Sequence, residues 1–218
     1  MSDRKVLDYH DVLLYAGDVE LLRGPQWLND QVIAFYFEYL GREKFSGKGL
    51  AYCPGCLTFL LLQSDPAELP HIIAPLKLVE KRLVFLACND NPDVNTANGG
   101  SHWSLLVYDG QERQYMHYDS SAGSNDVIAK TLARQLGKAG LPGDYQSAKC
   151  PRQANGHDCG VYVLAITDAI SELHSGNRSW QELDKELSER VTPAAIAQLR
   201  KDTLQLIMNK SKNKVPAL

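Results

Sequence analysis

No uninterrupted apolar run in this chain approaches the roughly 20 residues that a membrane-spanning helix needs. The opening Met1-Ser2-Asp3-Arg4-Lys5 also lacks the apolar stretch of a signal peptide. Basic charge is not in excess: 23 Lys and Arg face 26 Asp and Glu, a net charge of −3. Neither nucleic acid nor a membrane is therefore an expected partner. Cysteine is scarce and odd in number, at five. Without a secretory signal this points to a reducing compartment, cytoplasmic and/or nuclear. Internal repeats, low-complexity blocks and Gly/Ser/Pro linkers are missing too, so one domain over 1–218 is expected, with 211–218 as a flexible tail. A four-ligand metal set is lacking as well. Cys53-Pro54-Gly55-Cys56 supplies two thiols, while Cys88 and Cys150 stand alone, and no metal or cofactor is expected.

What is present reads as a mixture of helices and strands. The run Trp27, Leu28, Val32, Ile33, Phe35, Tyr36, Phe37, Tyr39, Leu40 is apolar nearly all round and predicts a buried helix that stops at Gly41. A short apolar helix over Pro54 to Gln63 and a turn or two over Asp65 to Ile73 follow. Leu83 to Cys88 suits a buried strand. Ser101 to Tyr108 and Gln114 to Asp119 are β-rich and joined by a turn, which predicts a hairpin. Helices are expected over Ser124 to Ala139 and Asp158 to Leu173, with a short strand over Tyr145 to Ala148 between them. Ser179-Trp180-Gln181-Glu182 has a capping-box pattern, and Thr192-Pro193 opens a last helix ending near Lys210. Helices around a small sheet make an α+β arrangement.

Chemistry gathers at three places. A turn centred between Gly110 and Gln111 would set His102 directly opposite Asp119, within reach of a His–carboxylate hydrogen bond. Gln153-Ala154-Asn155-Gly156-His157-Asp158-Cys159-Gly160 is a polar loop entering an apolar helix. A thiol at a helix start meets free backbone N–H groups and the positive end of the helix dipole, both of which favour the nucleophilic thiolate. The same N–H groups, with the Gln153 amide, are candidate oxyanion donors. Taken singly, His102, Asp119 and Cys159 would pass for structural residues; they carry weight as a set. His117 shares the face of His102 but has no motif role and reads as structural.

His102-Trp103-Ser104-Leu105, Asp119-Ser120 and Gln153-x-Asn155-x-x-Asp158-Cys159-Gly160 resemble the active-site blocks of the Ulp/SENP family of ubiquitin-like-protein cysteine proteases, in order and separation. Trp27-Leu28-Asn29-Asp30 resembles that family's N-terminal substrate-binding motif. The segments Trp27 to Leu40, Lys81 to Asn91 and Gly99 to Tyr108 look closest to the deneddylase branch. Gly156-His157 departs from relatives that often carry Ser or Asn and a bulkier residue there.

The resemblance implies a papain-like fold of the Ulp/adenain type, a small central mixed sheet flanked by helices. It implies a thiol hydrolase with Cys159 as nucleophile, His102 as base, Asp119 orienting the ring and Gln153 beside the oxyanion. Trp27 and Trp103 would wall a channel for a Gly-Gly tail, with Asp30, Asn89, Asp90 and Asn91 contacting the modifier. The implied partner is the neddylation modifier and its conjugates, such as cullins, acted on by a monomer. The same chemistry on SUMO or ubiquitin remains a near alternative. A non-catalytic module that binds a modifier tail is the alternative from another class, although a pure binder would need neither His102 nor Asp119.

Overall fold

A computed structural model describes residues 4–91, 99–176 and 180–213. Five strands form the central sheet in the order β3 (Leu50–Cys53), β4 (Leu83–Asn89), β5 (Trp103–Asp109), β6 (Gln114–Tyr118) and β7 (Asp144–Ser147). The outer pairs are parallel and the two inner pairs antiparallel, so the sheet is mixed, as expected. Two further strands, β1 (Lys5–Tyr9) and β2 (Val12–Tyr15), make a separate hairpin, followed by α1 (Ala16–Glu20). β1, β2 and β3, four or five residues long, were not anticipated from the sequence.

Side chains alternate across the sheet and feed two cores. One face, with Leu105, Val107, Met116 and Tyr118, packs on α2 (Asp30–Tyr39) and α6 (Cys159–Ser175). The other, with Val84, Leu86, Leu106 and Tyr115, packs on α3 (Gly55–Gln63), α4 (Leu69–Ile73) and α5 (Asp126–Lys138). The chain closes with α7 (Trp180–Arg190) and α8 (Pro193–Asn213).

Four expectations shift. The aromatic-rich helix does not stop at Gly41: it continues as a π-helical turn over Leu40–Lys44. It starts at Asp30 because Asn29 caps it, accepting from the N–H of Val32 at 3.2 Å. The last helix runs past Lys210, so 211–213 are helical rather than tail, and 214–218 lie outside the described residues. Ser179 of the capping box also lies outside them. The hairpin register differs as well: Asp109 pairs with Gln114 and Leu105 with Tyr118, which centres the turn one residue later than expected. Asp109 Oδ1 accepts from the N–H groups of Gln111 and Glu112 at 2.8 and 3.0 Å, and Arg113 takes a φ of 52°. This side-chain-capped turn keeps Asp109 in β5 and extends the loop. The resulting two-residue slip preserves which face each side chain occupies, since the period is two. His102 and Asp119 thus lie diagonally across the hairpin mouth, on the same face, instead of directly opposite.

Candidate active site

His102 immediately precedes β5, Asp119 immediately follows β6, and Cys159 is the first residue of α6. The fold brings all three to one end of the sheet. His102 Nε2 lies 2.7 Å from Asp119 Oδ1, and the same ring lies beside the Cys159 sulfur. With Nε2 committed to the carboxylate, Nδ1 is the nitrogen left for sulfur. Burial disfavours charge on the ring, but the interactions with Asp119 and Cys159 outweigh it and hold His102 up at about 9. Burial also works against the Asp119 carboxylate. Its bonds from His102 and from the N–H groups of Asn125 and Ser121 prevail, keeping it below the usual carboxylate range.

Cys159 is only 1 % exposed, yet it lines a cleft of about 930 Å³ together with His102, Trp103, Trp27 and Asp30. The sulfur is therefore reached through that cleft. Gly160, next in α6, lets Leu28 pack tightly: a Cβ there would sit 3.0 Å from the Leu28 Cβ. Trp103 is buried and donates from Nε1 to the Leu28 carbonyl at 2.9 Å. Its ring edge rests on Gly55, where a Cβ would lie 2.6 Å from Cη2. Trp27 is 48 % exposed and donates from Nε1 to the Gly156 carbonyl. Asp30 opens α2 in a position where burial pushes its carboxyl up.

The expected modifier contacts after β4 divide. Asn89 and Asn91 line the cleft. Asp90 bonds across the loop: its Oδ1 accepts from the N–H groups of Ser101 and His102 at 2.5 and 2.9 Å, and its Oδ2 from the Ser101 hydroxyl at 2.5 Å. Those bonds serve the seating of His102. Residues 92–98 of that loop lie outside the described residues. Gln153 sits beside the triad, accepting from the Ser120 hydroxyl and donating to the Asn155 carbonyl, both at 2.7 Å. One amide hydrogen remains uncommitted by these bonds.

His117 is buried, as its structural reading requires. Tyr145 spends its single hydroxyl proton on Asp126 at 2.6 Å, so His117 Nδ1 donates to the Tyr145 oxygen at 3.0 Å. Nε2 then accepts from the Ser104 hydroxyl at 2.9 Å. Burial lowers its pKa and keeps the ring neutral.

Sequence reasoning missed three residues. Gly55 was visible only as part of a Cys-Pro-Gly-Cys turn. Asn125 looked like an ordinary helix-start residue. Arg200 gave no signal on α8, because nothing local tells a solvated arginine from a buried one. Its guanidinium binds Asp158 Oδ1 at 2.7 and 3.1 Å and the carbonyls of Leu21 and Gln26 at 2.7 and 2.9 Å. It thereby ties the residue before the nucleophile to the segment leading into Trp27.

Residues 94–199 match the family model described as Ulp1 protease family, C-terminal catalytic domain. The human protein named sentrin-specific protease 8 is 39% identical over 217 residues, covering 96% of this chain and 99% of its own length. The Arabidopsis thaliana protein named NEDD8-specific protease 1 is 36% identical over 212 residues, covering 94% of this chain and 93% of its own. Among solved structures, SUMO protease Ulp1 with its catalytic cysteine oxidized to a sulfenic acid aligns with a TM-score of 0.72 at 21% identity, over 95% of this chain and 89% of that one. Such identity speaks for the fold, and the two longer sequence likenesses speak for more. This chain, with its cysteine, histidine and aspartate gathered at one cleft, belongs to the Ulp1 protease family of cysteine peptidases.

Proposed function

We propose that this enzyme is a deneddylase, cleaving after the C-terminal Gly-Gly of the neddylation modifier in conjugates and in precursors. The observation that carries the chemistry is the His102 ring bonded to Asp119 and set beside the Cys159 sulfur, at a cleft lined by two tryptophans. The choice of modifier draws on the relatives named NEDD8-specific protease 1 and sentrin-specific protease 8.

With His102 titrating at about 9, the proton of the Cys159–His102 pair rests on the ring, and the thiolate attacks the carbonyl of the terminal glycine. The tetrahedral oxyanion is met by the free N–H groups at the start of α6 and by the Gln153 amide. The imidazolium then protonates the departing lysine amine or tail amine, the C–N bond breaks, and a thioester remains. Water, deprotonated by His102, hydrolyses it and restores the thiol. Asp119 holds the tautomer and supports the charged ring. A cleft whose lining includes the rings of Trp27 and Trp103 beside the sulfur favours a chain without side chains, and glycine is the residue that satisfies this. At the mouth, a cation from the modifier's tail would relieve the desolvated Asp30. Neddylated cullins are the expected conjugates, acted on by a monomer in the cytoplasm and/or nucleus.

Covalent capture tests this reading. Modifiers ending in an electrophile in place of the last carboxylate are expected to label Cys159, the neddylation modifier fastest, ahead of ubiquitin and SUMO. Faster labelling by SUMO would reverse the assignment.

The pH dependence follows from His102. Its value of about 9 exceeds the ordinary 6.5, so the charged ring is fully present below 6.5 and lost as pH rises through about 9. The alkaline limb of kcat/KM is expected near there, because an uncharged ring has no proton for the leaving amine. Asp119→Asn is expected to move that limb to lower pH. A pH–rate profile with the limb in its original place would contradict the role given to Asp119.

A further inference from the structure

Asn125 occupies the N-cap of α5, where an asparagine ordinarily turns its side chain back to the second or third helical N–H. It makes no such bond. The fully buried side chain points the other way, with Nδ2 donating to the His102 carbonyl at 3.2 Å and the Cys88 carbonyl at 3.3 Å. Two carbonyl acceptors are met only by the NH₂ end, so the chemistry fixes the amide's orientation. Its Oδ1 is left buried with no hydrogen-bond partner among the described residues. The backbone N–H of the same residue donates to Asp119 Oδ2 at 3.0 Å. A residue that forgoes its capping bond and leaves an acceptor unmet is serving something other than its own helix.

We propose that Asn125 is a positioning residue of the triad, clamping the backbone of His102 and the carboxylate of Asp119 into one frame so that the imidazole meets both carboxylate and thiol. The inference rests on the reading of His102, Asp119 and Cys159 as the catalytic set. Asn125 acts through these residues and has no place in the cleft lining. Two of the three bonds it donates reach triad members, the main chain of His102 and the side chain of Asp119. Misplacing either by about 1 Å is enough to slow catalysis roughly 10²-fold. The titratable groups around the His102 ring are Asp119 and His117 from the β6 side and Cys159 from α6, while Asp90 receives the His102 N–H.

The test compares two variants of the full chain. Asn125→Ser keeps a helix-capping residue and the backbone N–H to Asp119 while removing both amide donors, and so avoids the folding loss that Asn125→Ala invites. Leu132→Ala opens a cavity on the buried face of the same helix, away from the triad, and reports destabilisation alone. The readouts are the imidazole titration of His102 by NMR, assigned by the signal lost in His102→Gln, and the separate values of kcat and KM. Asn125→Ser is expected to shift the His102 midpoint down from about 9 and to lower kcat about 10²-fold with KM little changed. Leu132→Ala is expected to lower the unfolding temperature and leave the midpoint alone. An unmoved midpoint in Asn125→Ser, or an equal shift in Leu132→Ala, would overturn the proposal. The titration needs no substrate, so an error in the choice of modifier leaves its outcome intact.

Discussion

Cys159→Ala is expected to slow turnover by about 10⁶-fold, the order seen when the nucleophile of a triad hydrolase is removed. Four other cysteines are present, but none substitutes for it. Cys53 and Cys88 are buried, and burial pushes both thiols up to about 12. Cys150 is likewise held up at about 12. Cys56 lines the cleft, yet burial also raises its thiol, and the charge beside it is Asp30 rather than an imidazole. Modifier binding is expected to persist in Cys159→Ala, because the change removes one sulfur atom at the cleft floor. Single-turnover hydrolysis and an equilibrium binding assay check the two halves. Turnover near the wild-type rate would end the case for a thioester route.

Arg200→Met is expected to lower the unfolding free energy by about 3–5 kcal/mol, the usual consequence of stripping one partner from a buried ion pair. Arg200 and Asp158 are 9% and 12% exposed at the side chain, so solvent screens the pair little. The variant strands the Asp158 carboxylate and leaves the carbonyls of Leu21 and Gln26 without their donor. Adding Asp158→Leu is expected to recover part of the loss, since no buried charge then remains. Acid supplies an independent check. Burial opposes the Asp158 carboxylate, but its bonds to Asn155 and Arg200 prevail and hold it below its ordinary range. A depressed value contributes stability above the unfolded pKa and loses it as pH falls through the folded one. The gap between wild type and Arg200→Met should therefore narrow in acid. Urea unfolding at neutral and acidic pH tests both points, and a neutral-pH loss under about 1 kcal/mol would contradict the buried-pair argument.

The aromatic helix, the buried strand Leu83 to Cys88 and the hairpin were legible because each has a local cause: periodicity, an apolar run, a turn. Strand β3 was not, although β7, equally short and also at a sheet edge, was placed to within one residue. The hairpin's face was readable and its register was not. Register depended on one side chain, Asp109, capping the turn, a contact that alternation of residue types does not encode. Asp90 shows the same limit. As an acid in a polar loop it looked available to a ligand, and its bonds to the N–H groups of Ser101 and His102 had no local signal.

Residue chemistry along the chain determined which groups are present for thiol hydrolysis, and in what order, because nucleophile, base and orienting acid are properties of residue types and their immediate neighbours. Tertiary structure decided how those groups are held. The bonds that seat them join positions far apart in sequence, as when Arg200 reaches Leu21 or Asn125 reaches Cys88, and separations of that length leave no local trace to read.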